Sequence, residues 1–256
     1  MTMGVVEVAA RAIHYSLVGR GAPLVVLESG LGSTLSDWSA VQAAVAEFSA
    51  VFSYDRAGLG RSTPAPTPRT CHEMVQELRA VLEAIGQNGP VVVVGHSMGG
   101  LLVRSFAARY PSDVVGMVLV DASHEDRYER FHEVLSEELR ERMRRYLADP
   151  TRNSEQWDVM ACQAQVREYS RAYSFPLRVL ARGVPDQPSD IWPSGALQKI
   201  EVELQRQTTG LSTNSRFVVA EQSGHFIQRD QPELVVDAIR EIVEMARTER
   251  DDLGST

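Results

Sequence analysis

Apolar residues along this chain fall into two alternating rhythms. Short runs rich in β-branched residues, PLVVLESG, AVFSYDRAG, VVVVGHSMGG, VVGMVLVDAS, FPLRVLARG and SRFVVAEQSGH, have the length and content of strands, most of them covered on both faces. Between them lie longer stretches with apolar positions at helical spacing. In CHEMVQELRAVLEAIG, for example, Met74, Val75, Leu78, Leu82 and Ile85 share one face before Gly86 ends the element. A strand-like VEVAARAIHYSLVG opens the chain, an amphipathic stretch runs from about Asp37 to Phe48, and MGGLLVRSFAARY reads as a helix up to Pro111. SGALQKIEVELQRQTTG is a further helix, and a final one runs from about Pro232 to Arg247 before a tail expected to fray. The alternation is βαβ, and the expected fold class is α/β, a mostly parallel doubly wound sheet.

The rhythm breaks once. From His124 to Tyr173 the chain is charged helix, HEDRYERFHEVLSEELRERMRRYLADP and then SEQWDVMACQAQVREYSRAY, with no legible strand. Alternating signs on such helices serve equally as a solvated face or as the outside of a cover over the strand ends. The expected organisation is a core of residues 1–123 and 174–256 with a helical cap of 124–173 inserted.

Length and charge narrow the picture. A chain of 256 residues with 43% hydrophobic composition can bury one large core. No segment approaches the roughly 18 uncharged apolar residues of a membrane span, and the N-terminus lacks a signal-peptide pattern. The reading is a soluble, cytoplasmic protein. A formal charge of -8 with no basic stripe argues against nucleic acid as a partner. Cys71 and Cys162, far apart, form neither a disulfide framework nor a metal motif and are read as free thiols.

The chemistry begins where the valine run ends. GHSMG has the G-x-S-x-G spacing of a nucleophile placed on a sharp strand-to-helix turn, with Gly95 and Gly99 leaving the backbone room around Ser97. A serine hydroxyl is a weak nucleophile, so it needs a histidine to take its proton and a carboxylate to orient that histidine. His225, in SGHFIQRDQPELV, lies between a strand and a helix at the carboxyl edge of the sheet, where Ser97 also emerges. His96 adjoins the nucleophile on the turn and reads as structural, and His14, His72, His124 and His132 read as packing or surface residues. Three carboxylates compete as the orienter. Asp186 follows a strand-ending glycine and is preferred; Asp121 ends the preceding strand, and Asp190 lies further along the Pro-rich loop. The oxyanion of an acyl substrate needs donors, and the amide of Met98, after the nucleophile, is the first expected. The glycine-flanked Leu31 in SGLGST is the candidate for the second.

Taken together, VVLESGLGS, YDRAGLGRS, VVVVGHSMGG, VLVD, VLARGVPD and SGHFIQRDQPELV resemble, in that order and spacing, the α/β-hydrolase fold superfamily over nearly the whole chain. The resemblance implies a triad of Ser97, His225 and Asp186, an oxyanion hole from the amides of Leu31 and Met98, and a helical cap after the strand ending at Asp121. Ser29-Gly30 stands where many relatives have His-Gly. Asp55 and Arg56 are read as organising the loop beside the site.

Within the superfamily, a serine elbow argues against haloalkane dehalogenases and epoxide hydrolases, which attack with aspartate. SGLGS differs from the HGGPG loop of proline iminopeptidase-like members, and Phe226 stands where carbon-carbon bond hydrolases usually have tryptophan. The expected function is an esterase-like serine hydrolase acting on a small carboxylic ester, thioester or lactone, without metal or organic cofactor. A slow-turnover ligand-binding or signalling protein of the same fold, and a carbon-carbon bond hydrolase, are the alternatives. Trp157, Met160, Tyr169, Tyr173 and Trp192 are candidates to line the acyl pocket, or else to pack the cap onto the core.

Overall fold

The valine run folds as β5 (Val91–His96), inside an eight-stranded sheet. The computed structural model describes residues 3–187 and 192–254. The other strands are β1 (Met3–Val8), β2 (Arg11–Val18), β3 (Leu24–Glu28), β4 (Val51–Tyr54), β6 (Val114–Val120), β7 (Leu177–Arg182) and β8 (Ser215–Ala220), in the spatial order β1-β2-β4-β3-β5-β6-β7-β8. From β4 to β8 all neighbours run parallel, while β1–β2 and β2–β4 are antiparallel.

Alternation along β5 feeds two cores. Val91 and Val93 pack with Met74 and Leu78 of α2 (Cys71–Ala84) and with Leu102 and Phe106 of α3 (Gly99–Arg109). Val92 and Val94 face the other way, toward Val41 of α1 (Ser39–Val45) and Ile239 and Val243 of α9 (Pro232–Gly254). A strand buried on both faces gains nothing from a polar residue on either, which is why the run is unbroken.

The opening segment, read as one strand-like stretch, is a hairpin. Ala9 and Ala10 take φ of 48° and 58°, and Val8 pairs with Arg11 across them. Two consecutive left-handed residues are what a tight hairpin turn requires, but alanine is not the residue that signals one.

Between β6 and β7 the described chain is helical: α4 (Arg127–Phe131), α5 (Glu137–Leu147), a short 3-10 turn at Pro150–Arg152 and α6 (Val159–Tyr169). In α5, Leu139, Met143 and Leu147 are buried, while Arg144 and Arg145 pair with Glu141 on the exposed side. That charged face is solvated surface. The segment is tied to the core by Arg104 of α3, which grips Glu125 through both terminal guanidinium nitrogens at 2.5 and 2.7 Å. Arg127 reaches Glu201 of α7 (Ser194–Thr208) at 2.5 Å. The remaining helix is α8 (Ile227–Asp230).

Candidate active site

Ser97 stands between β5 and α3 with φ of 52°, a left-handed conformation that costs a non-glycine residue about 1–3 kcal/mol. The turn is held by its amide donating to the Val120 carbonyl at 3.1 Å and its carbonyl accepting from the Ser123 amide at 2.9 Å. Its glycines are needed for closeness: a Cβ on Gly95 would meet the Gly99 carbonyl oxygen at 2.6 Å, and one on Gly99 would meet the Glu28 and Ser29 carbonyl oxygens at 2.6 Å.

His225, in the loop between β8 and α8, brings Nε2 to 3.0 Å from the Ser97 hydroxyl. Its Nδ1 lies 2.5 Å from Oδ2 of Asp121. This corrects the preference for Asp186. The Asp186 side chain is 61% exposed and ion-paired with Arg182 at 2.8 Å, so its carboxylate is turned to solvent and to a different partner. Asp190 lies outside the described residues. Asp121 is buried, follows β6 directly and has φ of 40°.

The electrostatics set the tautomer. Burial would raise the Asp121 pKa, but the hydrogen bond and charge of His225, the Arg182 guanidinium and the amide of Gln205 hold it below the usual carboxylate range. Its second oxygen accepts from Gln205 Nε2 at 3.0 Å and from the Arg182 amide at 3.3 Å. An ionised Asp121 only accepts, so Nδ1 of His225 carries the proton and Nε2 is left with the lone pair that receives the Ser97 hydrogen. His96 buttresses the arrangement. Its Nε2 lies 2.8 Å from the His225 carbonyl oxygen, an acceptor, so Nε2 donates. Burial first, and then the neighbouring His225, lower the His96 pKa to about 3 and keep the ring neutral.

The loop after β3 packs on this corner. A Cβ on Gly30 would stand 3.1 Å from Cβ of Ser97, so Leu31 is one peptide beyond this contact, and Met98 follows Ser97 at the start of α3. Beneath the loop lies Arg56, 1% exposed. It donates to the Ser29 and Gly30 carbonyls at 2.7 and 2.6 Å, to Glu28 at 2.5 Å, and to both oxygens of Glu155 at 2.9 and 2.7 Å. Burial opposes charge on this guanidinium, yet Glu155 and Glu28 more than offset it and push its pKa well up. The reading of Arg56 as an organiser of the loop thus corresponds to direct contacts.

The family model of the Alpha/beta hydrolase family matches residues 24–238. This chain belongs to that family. An AB hydrolase superfamily protein of Gibberella zeae is 27% identical over 88% of this chain and 87% of its own length. Among solved structures, a thermophilic esterase from Thermogutta terrifontis superposes with a TM-score of 0.67 at 21% identity, covering 96% of this chain and 99% of that one. Est816, described as an N-acyl homoserine lactone degrading enzyme, gives 0.67 at 18% identity, covering 93% and 99%. At such identities the two structures speak for the fold.

For an α/β hydrolase, several surroundings of the site were not legible in sequence. Gln205 and Arg182 on Asp121, and Glu155 on Arg56, carry no local motif; each reaches its partner only through packing. Of the candidate pocket residues, Trp157 is fully buried, with Nε1 donating to Cys162 Sγ at 2.6 Å, and Tyr173 stacks on Phe175 with ring centroids 4.6 Å apart. Both pack the helical segment onto the core. Met160 and Tyr169 are exposed at 50% and 57%, and Trp192 at 37%. A small cavity beside the Asp121–His225 contact is lined by Asp121, Ser123, His124, Arg127, Gln205 and His225. Both cysteines are buried free thiols. Among the described residues no group of three His, Cys, Asp or Glu side chains is disposed to hold a metal, and no helix is long and apolar enough to cross a membrane.

Proposed function

We propose that this α/β hydrolase cleaves a small carboxylic ester, thioester or lactone through an acyl-enzyme on Ser97, with His225 as base and Asp121 as its orienter. One observation carries the reading: the unbroken hydrogen-bonded chain from Asp121 through His225 to Ser97, at 2.5 and 3.0 Å. A turnover-free scaffold has no need for a strained serine aimed at an oriented imidazole.

In this mechanism Ser97 Oγ attacks the substrate carbonyl carbon while its proton passes to Nε2 of His225. The charge that develops on the carbonyl oxygen is met by the amides of Leu31 and Met98. Collapse breaks the bond to the alcohol or thiol, which takes the proton from Nε2, and the acyl group stays on Ser97. Water, deprotonated by the same nitrogen, then attacks the acyl carbon; collapse breaks the bond to Ser97, whose Oγ takes the proton back from Nε2 as the acid leaves. Asp121 stays ionised throughout and stabilises the imidazolium. The helices between β6 and β7 act as the cap, with part of the segment fastened over the ends of β3 and β4 through Glu155.

Hydrolysis rates on chromogenic esters of increasing acyl length, measured for the wild type beside Ser97→Ala, test this. Turnover that vanishes in the variant supports it and reads out the depth of the acyl pocket. Equal rates in both proteins, or none on any ester, would sink it.

A further inference from the structure

We infer that Arg56 and Glu155 are positioning residues for the oxyanion hole, so that the inserted helical segment sets the direction of the Leu31 amide. The inference rests on the acyl-enzyme reading of Ser97 and extends it to residues that never touch substrate.

The argument starts from the peptide unit. The Gly30–Leu31 peptide is trans, so its carbonyl and its amide lie in one plane and point in opposite directions. The carbonyl of Gly30 is taken from one side by Nη2 of Arg56 at 2.6 Å, and it also accepts from the Ser33 amide at 3.2 Å. Fixing the oxygen fixes the amide, which is turned away from Arg56. Since Gly30 itself lies against the Ser97 side chain, rotation of this one plane changes whether the Leu31 N–H faces the carbonyl oxygen of an attacked substrate.

Arg56 can hold that plane because its own freedom is gone. Every guanidinium proton has an acceptor, shared among Glu28, Glu155 and the Ser29 and Gly30 carbonyls. The Trp157 ring covers it, 5.4 Å from the guanidinium carbon to the ring centroid. Glu28 is itself held by the Tyr54 hydroxyl at 2.8 Å. The remaining clamp is Glu155, 99 residues away in the inserted segment, which grips Arg56 side-on with both oxygens. The same Oε1 accepts from the Gly32 amide at 2.7 Å. Glu155 therefore touches the hole-forming loop twice, directly at Gly32 and through Arg56 at Gly30, with Leu31 between the two anchors. The planar fork of arginine is suited to such side-on binding, and a lysine would not reproduce it.

The test is Glu155→Gln, an isosteric change that removes the charge and one of the acceptor sites. Active-site titration with a fluorophosphonate counts competent Ser97, and kcat and KM on p-nitrophenyl butyrate are expressed per titrated site. A misdirected oxyanion donor costs roughly 10- to 100-fold in rate. We expect that fall in kcat with KM within about twofold, and an equal loss of affinity for a trifluoromethyl ketone, whose serine adduct carries the same oxyanion. A merely structural role would lower the number of titrated sites and leave kcat per site and ketone affinity unchanged, and that result overturns the inference. If Glu155→Gln does not fold, Glu155→Asp, which keeps the charge but draws the oxygens back, carries the same comparison. A wild type that neither titrates nor turns over would instead overturn the acyl-enzyme reading, and this inference with it.

Discussion

Ser97 and Asp121 follow residues that pair with each other in neighbouring parallel strands, His96 opposite Val120, and both hold left-handed backbones with φ of 52° and 40°. Two non-glycine residues in that conformation, side by side at the carboxyl edge of the sheet and joined through one histidine, concentrate backbone strain where the chemistry is proposed. Asp121 and Ser97 are thus placed by one pair of strands, and His225 is brought to them by the loop after β8, the edge strand two places from β6.

The first prediction separates the two carboxylates. Asp121→Asn leaves an amide that can donate to Nδ1 of His225 and so favours the wrong tautomer; kcat on an active ester should fall by about 10⁴-fold. Asp186→Asn, at an exposed carboxylate bound only to Arg182 among the described contacts, should stay within about twofold of the wild type. Steady-state rates of the two variants decide this, and the reverse ranking would return the role to Asp186.

Gly99 is the second. An added Cβ would press on the Glu28 and Ser29 carbonyl oxygens, backbone atoms at the end of β3 that cannot swing aside. Gly99→Ala should destabilise the fold by about 1–3 kcal/mol and push the loop of Ser29 away from Ser97. Urea unfolding and fluorophosphonate labelling read the two effects, and a variant with unchanged stability and labelling would contradict the close approach.

His96 makes a prediction about acid. The folded protein resists protonating this buried ring down to about pH 3, whereas the unfolded chain takes up the proton near 6.5. The unfolded state therefore binds more protons between those values, and stability falls as pH drops through that window, by on the order of 5 kcal/mol if the whole shift is expressed. His96→Gln keeps a donor for the His225 carbonyl and removes the titration. Its unfolding free energy should be flatter than that of the wild type between pH 6.5 and 4.5, and parallel curves would refute the assignment.

Glu125 adds a second, lower window. Burial would raise its pKa, but the two-point grip of Arg104 brings it from 4.5 to about 2. Its contribution is complete above pH 4.5 and is lost as pH falls toward 2, about 3 kcal/mol in all. Glu125→Gln should abolish that part of the acid dependence and, by leaving Arg104 without its buried counter-charge, cost about 3–5 kcal/mol at neutral pH. Urea titrations at pH 7 and pH 3 measure both; a variant as stable as the wild type at pH 7 would show that the pair contributes little.

What the sequence determined by itself is what is written within a few residues of each element. Val91–Val94 can only be a strand buried on both faces, the spacing of Gly95, Ser97 and Gly99 dictates the corner after it, and His225 sits between a strand and a helix where a sheet-edge loop must be. The α/β class, the helical character of the segment between β6 and β7, and the meeting of Ser97 with His225 were legible for that reason. The hairpin at Ala9–Ala10 was not, because alanine gives no turn signal and the left-handed pair is imposed by the pairing of β1 with β2.

Tertiary structure alone decided the rest. Asp121 and Asp186 both follow strands and both precede His225 in the chain, so order cannot rank them; the choice depends on which carboxylate lies beside the imidazole once β6 and β7 are side by side and Arg182 has claimed Asp186. The same holds for Glu155 and Arg56, separated by 99 residues. A buried charge takes its partner from whatever packing brings within reach, and no short-range pattern encodes that distance.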